Sequence, residues 1–318
     1  MGTDEECGSS DLAYYTKKET LPEMLFTPDG SYPIINIEKG RVQGAFATDY
    51  KTSDTLPLIL SVHGGQTVNA VPERAQAVVQ GFTEDEIAEY IRKTDTGVTF
   101  TTEKSDQGVI IYAKGKSGHA STPELGVNAM TGLITLLIQM PFADCDGFRK
   151  LKNIISVFPH GETDGTHAGA ALSDELSGAL TLAFSVFHYE NGKIEGNFDI
   201  RFPISYTVAS VKERLISALG NYGFTLTGSA DAEPHHVDEN SEFIQKLLKV
   251  YEEQTGEKGH CVAIGGGTYV HDTVGGVAFG AEFPGEENNM HGANQHISIE
   301  SFMKNAKIFA HAIAEICG

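Results

Sequence analysis

A chain of 318 residues with 40% apolar content is long enough for two domains, each with a core of its own. Its 23 Lys and Arg stand against 43 Asp and Glu, and the formal charge of −20 repels nucleic-acid backbones and anionic membrane surfaces, so neither is expected as a partner. Cys7, Cys145, Cys261 and Cys317 form no C-x-x-C pair, no apolar run reaches 18 residues and no signal-peptide pattern is present. The expectation is a cytoplasmic chain with mostly buried thiols, without a zinc ribbon or a disulfide framework.

In chain order, PIINI (33–37) and LPLILSV (56–62) read as short buried strands. TEDEIAEYIRKT reads as a helix, with Thr83 as N-cap and Glu86 closing a capping box. GVTFTTE and GVIIYAKG read as paired strands, and GVNAMTGLITLLIQM (126–140) as a helix. Asn191-Gly192, between two β-rich runs, is the dipeptide of a type I′ hairpin and puts Arg201 near the end of its second strand. Amphipathic helices are expected over 208–219 and 241–255. GHCVAIGGGTYV reads as strand then glycine loop, and VGGVAFGAEFPG as another strand and turn. The closing helix has Ser298 as cap and Phe302, Ala306, Phe309 and Ile313 on one face. The pattern is α/β or α+β.

Several residues carry chemistry-bearing groups. Glu5 and Glu6 are adjacent, so on a loop or strand end they could serve two partners, one a metal and the other a proton; a solvated acidic stretch reads the same way. Asp29 sits in a Pro-Asp-Gly turn, where local backbone bonding alone accounts for Asp. His119 lies among Gly, Ala and Ser in GKSGHASTPELGVNAM, and His291 in a polar loop near carboxylates; each alone is a weak ligand signal. The IGGGT run lacks G-x-G-x-x-G spacing and a Lys-Ser/Thr ending, which weakens a nucleotide reading, yet the backbone at Gly266 and Gly267 could form an anion nest or simply a tight turn. HGETDGTH (160–167) reads as a loop, and no G-x-S-x-G elbow occurs.

Taken in order, GTDEECGSSD, FTPDGSYPIINIEKG, GGQTVNAVPERA, GKSGHASTPELGVNAM and IGGGTYVHDTVGGVAFGAEFPGEENNMHGANQHISI resemble the motifs of PepV-like dipeptidases. These belong to the co-catalytic metallopeptidase clan that also holds aminoacylases and deacetylases. The resemblance implies a discontinuous catalytic α/β domain, residues 1–42 and 233–318, with an inserted α+β lid at 43–232. It implies Glu5 as general base, Glu6, Asp29 and His291 as ligands of two divalent ions (zinc or manganese), Asn69 and His119 as groups that polarise the scissile carbonyl, and Arg201, Gly266 and Gly267 as the holders of a substrate carboxylate. The implied substrate is a small peptide with a free C-terminus, and the implied full-length form is a monomer.

Relatives carry a His-x-Asp metal motif and a bridging Asp ahead of the Glu-Glu motif, whereas here Met1 stands where they have the last apolar residue of the preceding strand. The expectation is an N-terminally truncated, inactive form with an incomplete catalytic domain and doubtful metal occupancy. Gln295 stands where relatives commonly have Glu, and His271 where some have Arg. An N-acyl amino acid deacylase of the same clan and a non-catalytic binding protein are the alternative expectations.

Overall fold

The computed structural model describes residues 10–286 and 294–318. Contacts divide the chain into two units, Met1–Lys39 with Pro234–Gly318, and Gly40–Glu233.

The front of the first unit holds α1 (Ser10–Tyr15), β1 (Phe26–Thr27), β2 (Gly30–Ser31) and β3 (Ile34–Glu38). All five residues of β3 are buried, which explains its continuous apolar run.

The second unit is built on one antiparallel sheet. Its main strands are β4 (Gly40–Asp49), β5 (Leu58–Gly64) and β7 (Arg74–Gln80), with the short β6 (Ala70–Val71) between the last two. Then come α2 (Glu84–Lys93), β8 (Thr99–Ser105), β9 (Gly108–Lys114), β10 (Gly118–His119), α3 (Ala129–Gln139) and α4 (Asp146–Val157). A small pair, β11 (Ser173–Asp174) and β12 (Gly178–Ala179), precedes β13 (Thr181–Glu190), β14 (Lys193–Phe202), α5 (Val208–Asn221) and β15 (Thr225–Ala232). The sheet order is β15-β4-β14-β13-β5-β7-β9-β8.

Local signals account for most of these elements. Thr83 and Glu86 make the reciprocal capping box at α2. Asn191 and Gly192 take φ of 52° and 82°, the left-handed pair that a type I′ turn between β13 and β14 requires. The helix expected from residue 126 starts at Ala129 because the Asn128 side chain accepts from the backbone N–H groups of Met130 and Thr131.

The sheet is tightened where glycines of one strand face rings of the next. Gly40 and Gly44 of β4 lie opposite Phe202 and Phe198 of β14, and Phe46 lies opposite Gly196. A Cβ at Gly44 would come within 2.2 Å of the Phe198 ring, so the ring occupies the space that a side chain would take. The core under the sheet includes Phe46, Phe198, Leu133, Leu137 and Ile154. Helix α3 packs on β5, β7 and β9, and α5 on β4 and β15.

The chain re-enters the first unit through β16 (His235–His236), α6 (Glu242–Thr255), β17 (Cys261–Ile264), β18 (Val277–Ala278), β19 (Ala281–Glu282) and α7 (Ile299–Cys317). VGGVAFGAEFPG, expected as one strand, forms two short ones: β18 runs parallel to β1, and β19 parallel to β2. β3 pairs with β16, β17 and β18. Tyr32 anchors the core, with ring centroids 4.7 Å from Phe283 and 5.2 Å from Phe279. Its hydroxyl donates to Asn305 of α7 at 2.7 Å.

That bond explains a correction to the sequence reading of α7. The buried residues are Ser301, Asn305, Ile308 and Ala312, whereas Phe302 and Ile313 are 60% and 54% exposed. Asn305 turns inward because Tyr32 and the Ala281 carbonyl satisfy its amide, and Ser301 because it pairs with Glu286. Mostly buried thiols were also expected; of the described cysteines, Cys145 and Cys261 are half-buried and Cys317 is exposed.

Candidate active site

In the second unit two expected residues come together. β6 and β10 form a two-stranded antiparallel ribbon with His119 opposite Ala70, and the carbonyl of Asn69 accepts from the Ala120 N–H at 2.9 Å. Asn69 and His119, fifty positions apart in sequence, are thus held across one ribbon end, both exposed. The Ser121 N–H donates to His119 Nδ1 at 3.1 Å, and the Ser121 hydroxyl lies 2.7 Å from the same nitrogen. A backbone N–H only donates, so Nδ1 is the acceptor nitrogen of a neutral ring and Nε2 carries the proton.

Arg201 lies near the end of β14 in a buried ion pair. Its Nε and Nη2 donate to the two carboxylate oxygens of Asp199 at 2.7 and 2.9 Å, with Arg201 5% and Asp199 0% exposed. Gln43 donates to the same carboxylate at 2.8 Å. This bidentate grip fixes the plane of the guanidinium.

In the first unit Asp29 is exposed on the turn between β1 and β2. Those strands are pinned in parallel to β18 and β19, and a Cβ at Gly30 would meet Ile35 and Ala278 at 2.9 and 3.0 Å, so glycine shapes the turn that presents Asp29.

The glycine loop follows β17 and leads into a short 3₁₀ turn at Tyr269–Asp272. Beneath it lies Glu38, a residue that sequence reasoning missed. Its fully buried carboxylate accepts from the Thr268 N–H at 3.1 Å, the Thr268 hydroxyl at 2.7 Å and His271 Nδ1 at 2.8 Å. The anion received by this loop's backbone at Thr268 is therefore the protein's own. His271 Nε2 is buried and has no hydrogen-bond partner among the described residues. The available signal was a single carboxylate in an apolar strand, which is tolerated only when neighbours hydrogen-bond it.

Glu5, Glu6 and His291 lie outside the described residues. Among those described, no group of three or more His, Cys, Asp and Glu is arranged to hold a metal, so Asp29 is the one expected ligand with a described position. As a set, two carboxylates and an imidazole are oxygen and nitrogen donors suited to zinc or manganese, and Asp29 stands on an open turn where it can take part.

No family model matches the chain. It is 33% identical over 323 residues to the dipeptidase-family protein YtjP of Bacillus subtilis (strain 168), covering 99% of this chain and 68% of that protein. The chain belongs to the dipeptidase family of this relative. Within this family it is also 32% identical over 321 residues to the Beta-Ala-Xaa dipeptidase of Lactobacillus delbrueckii subsp. lactis, covering 99% of this chain and 67% of that enzyme. The chain thus spans about two thirds of the length of these dipeptidases. Among solved structures, the aminoacylhistidine dipeptidase from Vibrio alginolyticus shares the fold, with a TM-score of 0.51 and 16% identity over 93% of this chain and 66% of that one. Among the described residues no helix is long and apolar enough to cross a membrane.

Proposed function

We propose that this chain carries the chemistry of a metal-dependent dipeptidase acting on short peptides with a free C-terminal carboxylate. The observation that carries the reading is the ribbon that sets Asn69 beside His119 with the proton of His119 on Nε2. Two N–H donors at one edge are what a carbonyl oxygen needs as it gains negative charge.

Glu6, Asp29 and His291 would hold the metal, and zinc or manganese bound there supplies Lewis-acid polarisation and a more acidic water. Glu5 takes the proton of the attacking water and returns it to the leaving amine. His119 Nε2–H and the Asn69 amide donate to the scissile carbonyl oxygen. Arg201, its plane fixed by Asp199, and the backbone at Gly266 and Gly267 hold the substrate carboxylate, while Glu38 keeps that loop in place through Thr268. The relative named for Beta-Ala-Xaa makes dipeptides that begin with β-alanine the first substrates to try.

The test is hydrolysis of β-Ala-Xaa and α-dipeptides by the purified chain with Zn²⁺ or Mn²⁺, beside a chelated control and N-acetyl amino acids. Release of free amino acids from dipeptides, abolished by the chelator, is the result expected on this reading, and it would overturn the expectation of an inactive form drawn from the sequence. Hydrolysis confined to N-acetyl amino acids would replace the reading with a deacylase, and no hydrolysis with either metal would refute it for this chain.

A further inference from the structure

The sheet of the second unit is two four-stranded halves, β15-β4-β14-β13 and β5-β7-β9-β8, joined where β13 meets β5. That seam has four register pairs, from Phe187 opposite Gly64 to Glu190 opposite Ser61, whereas β14 and β4 share ten. At the seam His188 lies opposite His63. Their chain neighbours Val62, Phe187 and Tyr189 are buried in the core, so strand alternation turns both imidazoles to the other face.

The two rings meet through their Nδ1 atoms, 3.0 Å apart. Two lone pairs, or two N–H groups, repel at that distance, so either one ring donates its Nδ1 proton to the other or a metal ion bound by both nitrogens takes that proton's place. On the far side of His63, the Glu190 carboxylate lies 3.7 Å from Nε2. At that distance the carboxylate acts through its charge and not through a hydrogen bond, favouring a proton on Nε2 and leaving Nδ1 as the donor to metal.

The separation selects the geometry. Metal–nitrogen bonds of about 2.0–2.1 Å span roughly 2.9 Å at a right angle and roughly 3.4 Å at the tetrahedral angle. The observed 3.0 Å matches the right angle, the bite of a tetragonal ion such as Cu²⁺ or Ni²⁺.

We propose that His63 and His188 form a mononuclear site for a divalent transition-metal ion, bound by two cis imidazoles across the β5–β13 seam. Among the described residues no third His, Cys, Asp or Glu completes the set, so water fills the remaining positions and selectivity follows Cu²⁺ over Ni²⁺, with Zn²⁺ weaker than Cu²⁺. The ion ties the two halves of the sheet together where backbone pairing is shortest. Its donors are different residues from Glu6, Asp29 and His291, and the proposal does not depend on the peptidase reading.

The test is Cu²⁺ titration of chelator-stripped protein, read by calorimetry and by electron paramagnetic resonance, in the wild type, His63→Gln and His188→Gln. The expected result is a Cu²⁺ site with two equatorial imidazole nitrogens, distinguishable by its spectrum from any Cu²⁺ at the Glu6, Asp29 and His291 set, weakened at least about tenfold in either variant and retained in Asp29→Asn. Sub-stoichiometric Ni²⁺ should broaden the ring signals of His63 and His188 first in the wild type, a readout that requires no variant. Binding unchanged in both variants, a one-nitrogen spectrum, or broadening that spares these two rings would overturn the site.

Discussion

Replacing Glu38 with alanine removes the acceptor on which the glycine loop rests. Its carboxylate is 1% exposed and takes three donors, the Thr268 N–H, the Thr268 hydroxyl and His271 Nδ1. Hydrogen bonds to a charged group contribute about 1.5–3 kcal/mol each, but removal also relieves the desolvation of a buried carboxylate, so the terms do not add. The expected loss is about 3 kcal/mol, the lower end of what breaking a buried pair costs. Glu38→Gln is milder, about 1 kcal/mol. The amide oxygen still accepts from Thr268, and the amide N–H₂ can donate to His271 Nδ1 once that ring moves its proton to Nε2. The chain has no Trp, so urea unfolding is followed by circular dichroism, with hydrogen exchange of the Thr268 amide as the local probe. Exchange at Thr268 should accelerate in the alanine variant more than in the glutamine one. Losses within 0.5 kcal/mol for both variants, or unchanged protection of Thr268, would refute the assignment of Glu38 as the anchor of this loop.

Gly44→Val forces a side chain into the Phe198 ring and should cost about 2–3 kcal/mol of stability, whereas Gly220→Ala, in α5 with nothing near its Cβ, should stabilise by about 0.5 kcal/mol; denaturant midpoints compare the two. The folded-state pKa of His63 is lowered, so the unfolded chain binds the extra proton first and stability falls as pH drops below about 6.5 toward the folded value. The groups facing His63 are His188 and Glu190 on β13 and Gln76 on β7, and thermal unfolding of His63→Gln between pH 7 and 5 should show a shallower loss than the wild type. In a preparation that hydrolyses dipeptides, Glu5→Gln should lower kcat by about 10² to 10⁴ while bound metal, measured by elemental analysis, is retained.

What could be read in advance was whatever strong local chemistry dictated. The capping box at Thr83, the Asn191-Gly192 turn and the Ser298 cap each act within a few residues, so their signals survive without knowledge of the rest. β4 was not legible. GRVQGAFATD breaks its alternation with glycines, and their reason for being there is the set of rings on β14, about 150 positions away. Helix α4 opens at Cys145, which makes no side-chain cap bond, so no start signal announces it. On α7 the apolar stripe misled because Asn305 and Ser301 turn inward to partners elsewhere in the chain, Tyr32 and Glu286.

The candidate site divides along the same physical line. Motif order can be read from residues alone, since each motif occupies a short window. The juxtaposition of Asn69 with His119 cannot, because it is made by strands of two residues each, too short for any periodic signal. Glu38 falls between these cases. Its burial could be inferred from an apolar strand, but its partners Thr268 and His271 lie 230 and 233 positions away. A buried carboxylate announces that partners exist without naming them. His63 and His188 carry even less signal, since a single histidine in a strand reads as an exposed polar position, and only pairing across the seam turns two of them into a donor set.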